Sequence, residues 1–335
     1  MLAFDPGDIN SVLAGVENGR LTPSQALEAL RDVSCGGAGR SGKAVCPPGL
    51  PPADERGCQA AHEGTWPLHQ AMAELDSLVG LEKVKSLVRE IVAYVRIQRI
   101  RAQRLLASDP LVLHMIFSGN PGTGKTTCAR ILGKIFKEMG VLEKGHLVEV
   151  ERADLVGEYI GHTAQKTREQ IKRAMGGILF IDEAYSLARG GEKDFGKEAI
   201  DTLVKAMEDY KDRLILILAG YREEMASFIR SNPGLRSRFP VHIEFPDYTI
   251  EELIKIAQLM LKRREYKLDP EALFELRGIL VSKIAKNEDN TGNARLVRNI
   301  IERAVRRQAL RLADKPDLSR EELMLIRRED ISEGP

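Results

Sequence analysis

The octapeptide Gly119-Asn120-Pro121-Gly122-Thr123-Gly124-Lys125-Thr126 constrains this chain more than any other stretch. It fits G-x-x-x-x-G-K-[ST], follows the strand-like run LVLHMIFS and precedes the helix-like run TCARILGKIFKEM, the strand–loop–helix setting the motif requires. Glycines here let consecutive backbone N–H groups turn inward on a phosphate, and the helix N-terminus adds positive potential. Lys125 is expected to reach the β- and γ-phosphates and the Thr126 hydroxyl to coordinate Mg²⁺, with Thr127 in the same nucleotide-binding segment. The ligand pair this predicts is ATP with Mg²⁺.

Such a loop belongs in a parallel α/β sheet, and the rest of the pattern agrees. Short β-rich runs at 112–118, 147–150, 177–181, 214–219 and 242–245 alternate with helix-like segments. Helical periodicity also runs over 79–106. After Pro246 the β signal vanishes, and 250–310 read as consecutive amphipathic helices. The front of the chain differs: 9–33 read as two short helices, and the stretch that follows is dense in Gly and Pro with no periodicity. The predicted plan is a small helical extension (1–33), a Gly/Pro-rich linker (34–70), an α/β nucleotide-binding domain with helices on both faces (71–246) and an all-α C-terminal domain (247–335).

A second half-site lies downstream of the loop. Gly177-Ile178-Leu179-Phe180-Ile181-Asp182-Glu183 is an apolar run ending in two carboxylates, which puts both at the C-terminal end of a buried strand. Asp182 is expected to hold Mg²⁺ through its water shell. Glu183 is expected to orient and deprotonate the water that attacks the γ-phosphate.

Charge and cysteine content narrow the alternatives. Fifty Lys and Arg against forty-nine Asp and Glu leave a net charge of +1, which argues against a nucleic-acid-coating or polybasic membrane protein. The longest apolar stretches, 111–117 and 214–219, fall far short of the roughly 20 residues a membrane span takes. The N-terminus MLAFDPGDIN lacks a basic segment followed by an apolar one, so a cytoplasmic address is expected. Cys35, Cys46 and Cys58, with His62, offer zinc-ligand types without the close C-x₂₋₄-C pair of structural sites, and read as free thiols in the linker. Cys128 reads as a small hydrophobe on the helix after the loop.

Taken together, GNPGTGKTT, LFIDEA, NPGLRSRF and GNARLVRN resemble the AAA+ ATPases, the first two as their Walker A and Walker B motifs. The likeness covers about 71–312. DLVGEYIGHTAQKT, GGILFIDEAYSL and ILAGYREEM point to the clade of stage V sporulation protein K and the red-type, CbbX-type Rubisco activase. The resemblance implies a lid function for the C-terminal domain and a head-to-tail ring, a hexamer. It implies that Arg238, with Arg236 as second choice, projects into the neighbouring subunit's nucleotide site, where such a finger is worth ~10³–10⁵ in rate. Arg295 would act as the second sensor, reaching the phosphates in cis. Tyr159, Ile160 and Gly161 would form an apolar pore loop that grips an extended polypeptide, and 188–195 reads as either a second pore loop or a plain surface loop. One position departs from the family pattern: where the first sensor is often Asn, the chain has Gly220-Tyr221-Arg222, and no residue is assigned that role.

The implied activity is that of a Mg-ATP-dependent ring ATPase that remodels or threads a protein client. It is most similar to stage V sporulation protein K, which implies a spore-forming source and a part in sporulation. The alternative is a red-type Rubisco activase. Two other classes compete: an ATP-binding switch without remodelling, and a nucleic-acid-loading AAA+ machine. The last draws on the basic helix bearing Arg96, Arg99, Arg101 and Arg104, but the charge balance does not make nucleic acid an expected partner.

Overall fold

The structure, a computed structural model, describes residues 66–107, 112–157, 159, 161–189, 195–285 and 292–332. The helices expected over 9–33, the linker up to residue 65, Cys35, Cys46, Cys58, Ile160 and most of 188–195 lie outside those residues.

One boundary moves. Helix α1 (Trp66–Asp76) begins inside the stretch assigned to the linker, because Leu68, Ala71, Met72 and Leu75 recur at helical spacing and pack on the core. Helix α2 (Glu82–Gln103) follows a turn in which Gly80 and Leu81 both take left-handed backbone, with φ of 63° and 59°. Val84, Val88, Ile91 and Val95 form its buried stripe.

Strands β1 (Met115–Gly119), β2 (Leu147–Val150), β3 (Ile178–Ile181), β4 (Ile215–Gly220) and β5 (Val241–Phe245) stand where the apolar runs place them. They form one parallel sheet in the order β2-β3-β4-β1-β5. Between them run α3 (Lys125–Glu138), α4 (Arg152–Leu155), α5 (His162–Ala174), α6 (Gly196–Asp209), α7 (Arg222–Ser231) and α8 (Pro233–Arg236), with a 3₁₀ turn over Ala184–Ala188.

Alternation along each strand divides the core into two layers. Met115, Phe117, Phe180, Ile217 and Phe245 face α1, α2 and α3, where the Phe117 ring lies 5.0 Å from Phe245 and 6.4 Å from Phe180. Ile116, Leu179, Ile181, Leu216 and Leu218 face the opposite layer with Ile171, Leu203 and Phe228. Helices on both faces explain why the central strands β1, β3 and β4 read as continuous apolar runs, whereas the edge strands β2 and β5 expose Glu149 and Glu244. His114, which interrupts the first run, is buried: its Nδ1 accepts the Leu216 N–H at 3.0 Å and its ring packs 6.0 Å from Phe239. Burial pushes its pKa down to about 4, so the imidazole is neutral.

The C-terminal part comprises α9 (Ile250–Lys262), β6 (Lys267–Leu268), α10 (Pro270–Ala285), α11 (Asn293–Leu312), α12 (Arg320–Met324), β7 (Leu325–Ile326) and α13 (Arg328–Ile331). It is the helical lid expected, with one small parallel strand pair added. β6 and β7 pair in parallel, and two-residue strands are too short to leave a period-2 signal in the sequence. Leu253, Ala257, Leu276, Leu280, Val297 and Ile301 build a separate core. Thr249 and Glu252 cap α9 reciprocally. Arg311 forks onto the buried Asp330 at 3.0 and 2.8 Å, closing the end of the chain onto α11. No helix among the described residues is long and apolar enough to cross a membrane.

Candidate functional site

All five strands run the same way, so the loops after β1, β3 and β4 emerge at one edge of the sheet, the edge where open parallel sheets bind ligands. The first of these loops is the glycine-rich one. β1 ends at Gly119, where φ is 154° and a Cβ would stand 2.3 Å from the Phe245 carbonyl oxygen on β5. Gly122, with φ of 75°, has the Gly292 carbonyl oxygen 2.3 Å from where its Cβ would be. A side chain at either place is excluded by backbone, which itself cannot give way.

Lys125 opens α3 and curls back over the loop, donating to the carbonyls of Gly119 at 2.8 Å and Asn120 at 2.9 Å. Burial lowers its pKa; Asp182 opposes that most, while Arg295 reinforces it and Asp247 and Glu183 also oppose it. The structure thus brings Lys125, Asp182, Glu183 and Arg295 into one electrostatic neighbourhood, though the sequence spreads them over 171 positions (125 to 295, inclusive). Thr126 Oγ1 lies 3.4 Å from a carboxylate oxygen of Glu149 on β2.

Asp182 and Glu183 follow β3. The Asp182 N–H donates to Val150 on β2 at 3.0 Å, and one Asp182 carboxylate oxygen accepts the Glu183 N–H at 3.0 Å. Glu183 itself sits in left-handed backbone with φ of 46°, a strained turn of the kind that concentrates at functional sites. At the end of β4, Tyr185 fills the space beside Gly220, and its ring lies 6.1 Å from Tyr221. Burial, then the Glu183 charge, pushes the Tyr185 phenol up to about 12. Arg189 stacks over the same ring at 4.6 Å.

The glycine-rich loop, Glu149, Asp182, Glu183 and Gly220 share one cleft of about 1200 Å³. Its polar lining includes Gly122, Lys125, Thr126, Asp182, Glu183 and Arg295; its apolar lining includes Val79, Leu81, Ile256 and Met260. The α/β part and the helical part each contribute walls. Tyr221, which follows β4, also lines it.

Three expected elements stand away from the cleft. Arg236 is exposed at the end of α8, and neither it nor Arg238 lines the cleft of its own chain. Arg238 donates to the Gly234 carbonyl at 2.8 Å and pairs with Glu208 on α6, while its Nε is buried without a hydrogen-bond partner. Tyr159 is 66% exposed, edge-on to His162 at 5.6 Å. The segment bearing it is pinned at its feet, the Gly157 N–H donating to Thr163 at 3.0 Å and Thr167 donating to Leu155 at 3.1 Å. Gly161, φ 84°, has nothing within 4 Å of its Cβ position. Cys128 is buried in α3 with its thiol pushed up to about 12, the small hydrophobe expected.

Sequence reading missed a second group. Asp247, just past β5, accepts from Asn120 of the loop at 3.0 and 2.9 Å and from Asn293 of α11 at 2.8 Å. Tyr248 donates its hydroxyl to the Thr123 carbonyl at 3.0 Å. Among the described residues, no cluster of three or more His, Cys, Asp or Glu is placed to hold a metal on its own.

A match to the ATPase family associated with various cellular activities (AAA) spans residues 115–247, and a match to an AAA lid domain spans 249–334. Stage V sporulation protein K of Bacillus subtilis is 55% identical over 266 residues, covering 79% of this chain and 83% of that protein. This chain belongs to the AAA ATPases. Within the family it is also similar to Protein CbbX of Cereibacter sphaeroides, 48% identical over 277 residues, 82% of this chain and 89% of that one. The chloroplastic ribulose bisphosphate carboxylase/oxygenase activase of Cyanidioschyzon merolae is 46% identical over 270 residues, 79% and 91% of the two chains. The activity of this AAA ATPase is ATP hydrolysis. Its AAA match ends at Asp247 and its lid match opens at Thr249, so Asp247 and Tyr248 stand at the joint.

Proposed function

We propose that this AAA ATPase uses Mg²⁺-ATP as a homo-oligomeric ring, a hexamer, to remodel or thread a protein client in the cytoplasm, in the manner of stage V sporulation protein K. The observation that carries the reading is the convergence of Gly122, Lys125, Thr126, Asp182, Glu183 and Arg295 on one cleft that also has apolar lining.

The residues fit the ligand. The loop's crowded glycines leave backbone N–H groups free to approach phosphate oxygens. Val79, Leu81, Ile256 and Met260 offer an apolar slot for a planar base. Thr126 and Asp182 supply hard oxygen donors, the set Mg²⁺ prefers. When bound, the metal neutralises charge on the β- and γ-phosphate oxygens.

In this reading Lys125 exchanges the Gly119 and Asn120 carbonyls for the β- and γ-phosphates, whose negative charge offsets the desolvation of its ammonium. Glu183 takes the proton of the attacking water, and Arg295 binds the phosphates from the lid. Arg238, or failing it Arg236, stabilises the charge developing on the γ-phosphate of the next subunit, a role consistent with neither lining its own cleft. Tyr159, exposed on a segment pinned at both feet, grips the client.

Glu183→Gln should bind ATP as the wild type does and hydrolyse it at least tenfold more slowly; wild-type turnover would remove Glu183 from the mechanism. The second reading, a red-type Rubisco activase, rests on the 48% identity to Protein CbbX. Identifying the protein that co-purifies with the Glu183→Gln chain in ATP separates the two.

A further inference from the structure

We propose that Asp247 is a positioning residue that ties the phosphate-binding loop to the first turn of the lid helix α11, so that the loop and Arg295 change conformation together. The proposal rests on the reading of the cleft as a nucleotide site.

Four consecutive loop residues are in contact with the joint or the lid. Asn120 donates its side-chain amide to both Asp247 oxygens, at 3.0 and 2.9 Å. Asn293 donates to Asp247 at 2.8 Å and reaches the Pro121 carbonyl at 3.5 Å. The Ala294 N–H donates to the Gly122 carbonyl at 3.2 Å, and Tyr248 donates its hydroxyl to the Thr123 carbonyl at 3.0 Å. Two amide donors converge on one acidic side chain, which accepts at both oxygens; an asparagine there would turn its own NH₂ toward one of them.

Two features indicate that this contact serves more than packing. Asn293 is buried and holds left-handed backbone, φ 42°, at the start of a helix. Such a conformation persists where its surroundings over-determine it, and here the Tyr248 N–H on Asn293 Oδ1 at 3.0 Å and Asp247 on its amide do so. Moreover, a carboxylate beside a site for a polyanion opposes binding on electrostatic grounds, and its support of the Lys125 charge is smaller than that of Asp182, which points to a role in geometry.

A physical route follows. Lys125 holds the Asn120 carbonyl, and Asp247 holds the Asn120 side chain. When Lys125 turns to phosphate it releases the Asn120 peptide. Any rotation of that residue pulls on Asp247, hence on Asn293, two residues before Arg295.

The test uses the full chain with Asp247→Ala and Asn293→Gly. Glycine accepts positive φ, so the second variant removes the amide and keeps the backbone. Hydrogen exchange is followed over residues 119–126 and 292–298 with and without ADP, alongside ADP affinity and kcat. In the wild type ADP should slow exchange in both segments. In both variants ADP should still slow the loop while its protection of 292–298 falls at least twofold from the wild-type value, with kcat down at least tenfold and ADP affinity within about threefold. Lid protection in the variants equal to wild type, whatever kcat does, overturns the proposal, as does a rise in KM with kcat unchanged. No ADP protection of the wild-type loop would overturn the nucleotide-site reading instead.

Discussion

The Arg238 guanidinium is paired with the Glu208 carboxylate of its own chain, half-exposed, at the end of α6. An arginine that serves a neighbour's site must leave this partner when subunits meet. Glu208→Gln should therefore lower the protein concentration at which ATPase activity is half-maximal. Because the pair is partly exposed, folding stability should change by no more than about 1 kcal/mol. An unchanged or raised half-maximal concentration, measured by turnover across a dilution series, would show that Glu208 does not compete for the arginine.

Tyr159 presents its ring to solvent and lies edge-on to His162. Its removal costs the fold little, since an exposed ring contributes little burial. Tyr159→Ala should abolish unfolding of a client and stimulation of ATPase by that client, whereas Tyr159→Phe should keep both. Full client stimulation in the alanine variant would reassign the loop to a structural role.

His114 gives the fold a pH dependence of definite sign. Its pKa is about 4 in the folded state against 6.5 for the ordinary group. Above pH 6.5 both states are neutral and the residue contributes no slope. As pH falls from 6.5 toward 4, the unfolded chain takes up a proton that the folded chain refuses, so stability drops, by up to ~3 kcal/mol. His114→Asn should be less stable at neutral pH but lose this part of the slope. Urea denaturation of both proteins at about pH 7 and about pH 5 measures the difference; parallel losses in the two would place the titration elsewhere.

The parts of this molecule legible in its sequence are those whose chemistry is local. The glycine-rich loop and the Asp182-Glu183 pair each lie in one short stretch between a strand and a helix, and the structure puts both at the same sheet edge. The three central strands β1, β3 and β4 were legible because burial on both faces leaves apolar runs, and the edge strands β2 and β5 by their short β-rich stretches although Glu149 and Glu244 interrupt them. The joint was not legible: Asn120 and Asp247 lie 127 positions apart, and neither residue type is unusual for a loop. Glu149 was hidden for a similar reason, as the outward residue of a four-residue strand. The β6–β7 pair was too short to show a period. The start of α1 was masked by the Gly/Pro-rich stretch before it, although Leu68, Ala71, Met72 and Leu75 carried the spacing.

The central claim is that each cleft is completed by an arginine from the next subunit. It is tested most directly by mixing two inactive full-length chains, Glu183→Gln and Arg238→Ala. An Arg238→Ala subunit keeps its own Glu183, and a Glu183→Gln neighbour can lend it Arg238. The account predicts ATP turnover in the mixture well above the sum of the two variants alone. Turnover equal to that sum at every mixing ratio would contradict it.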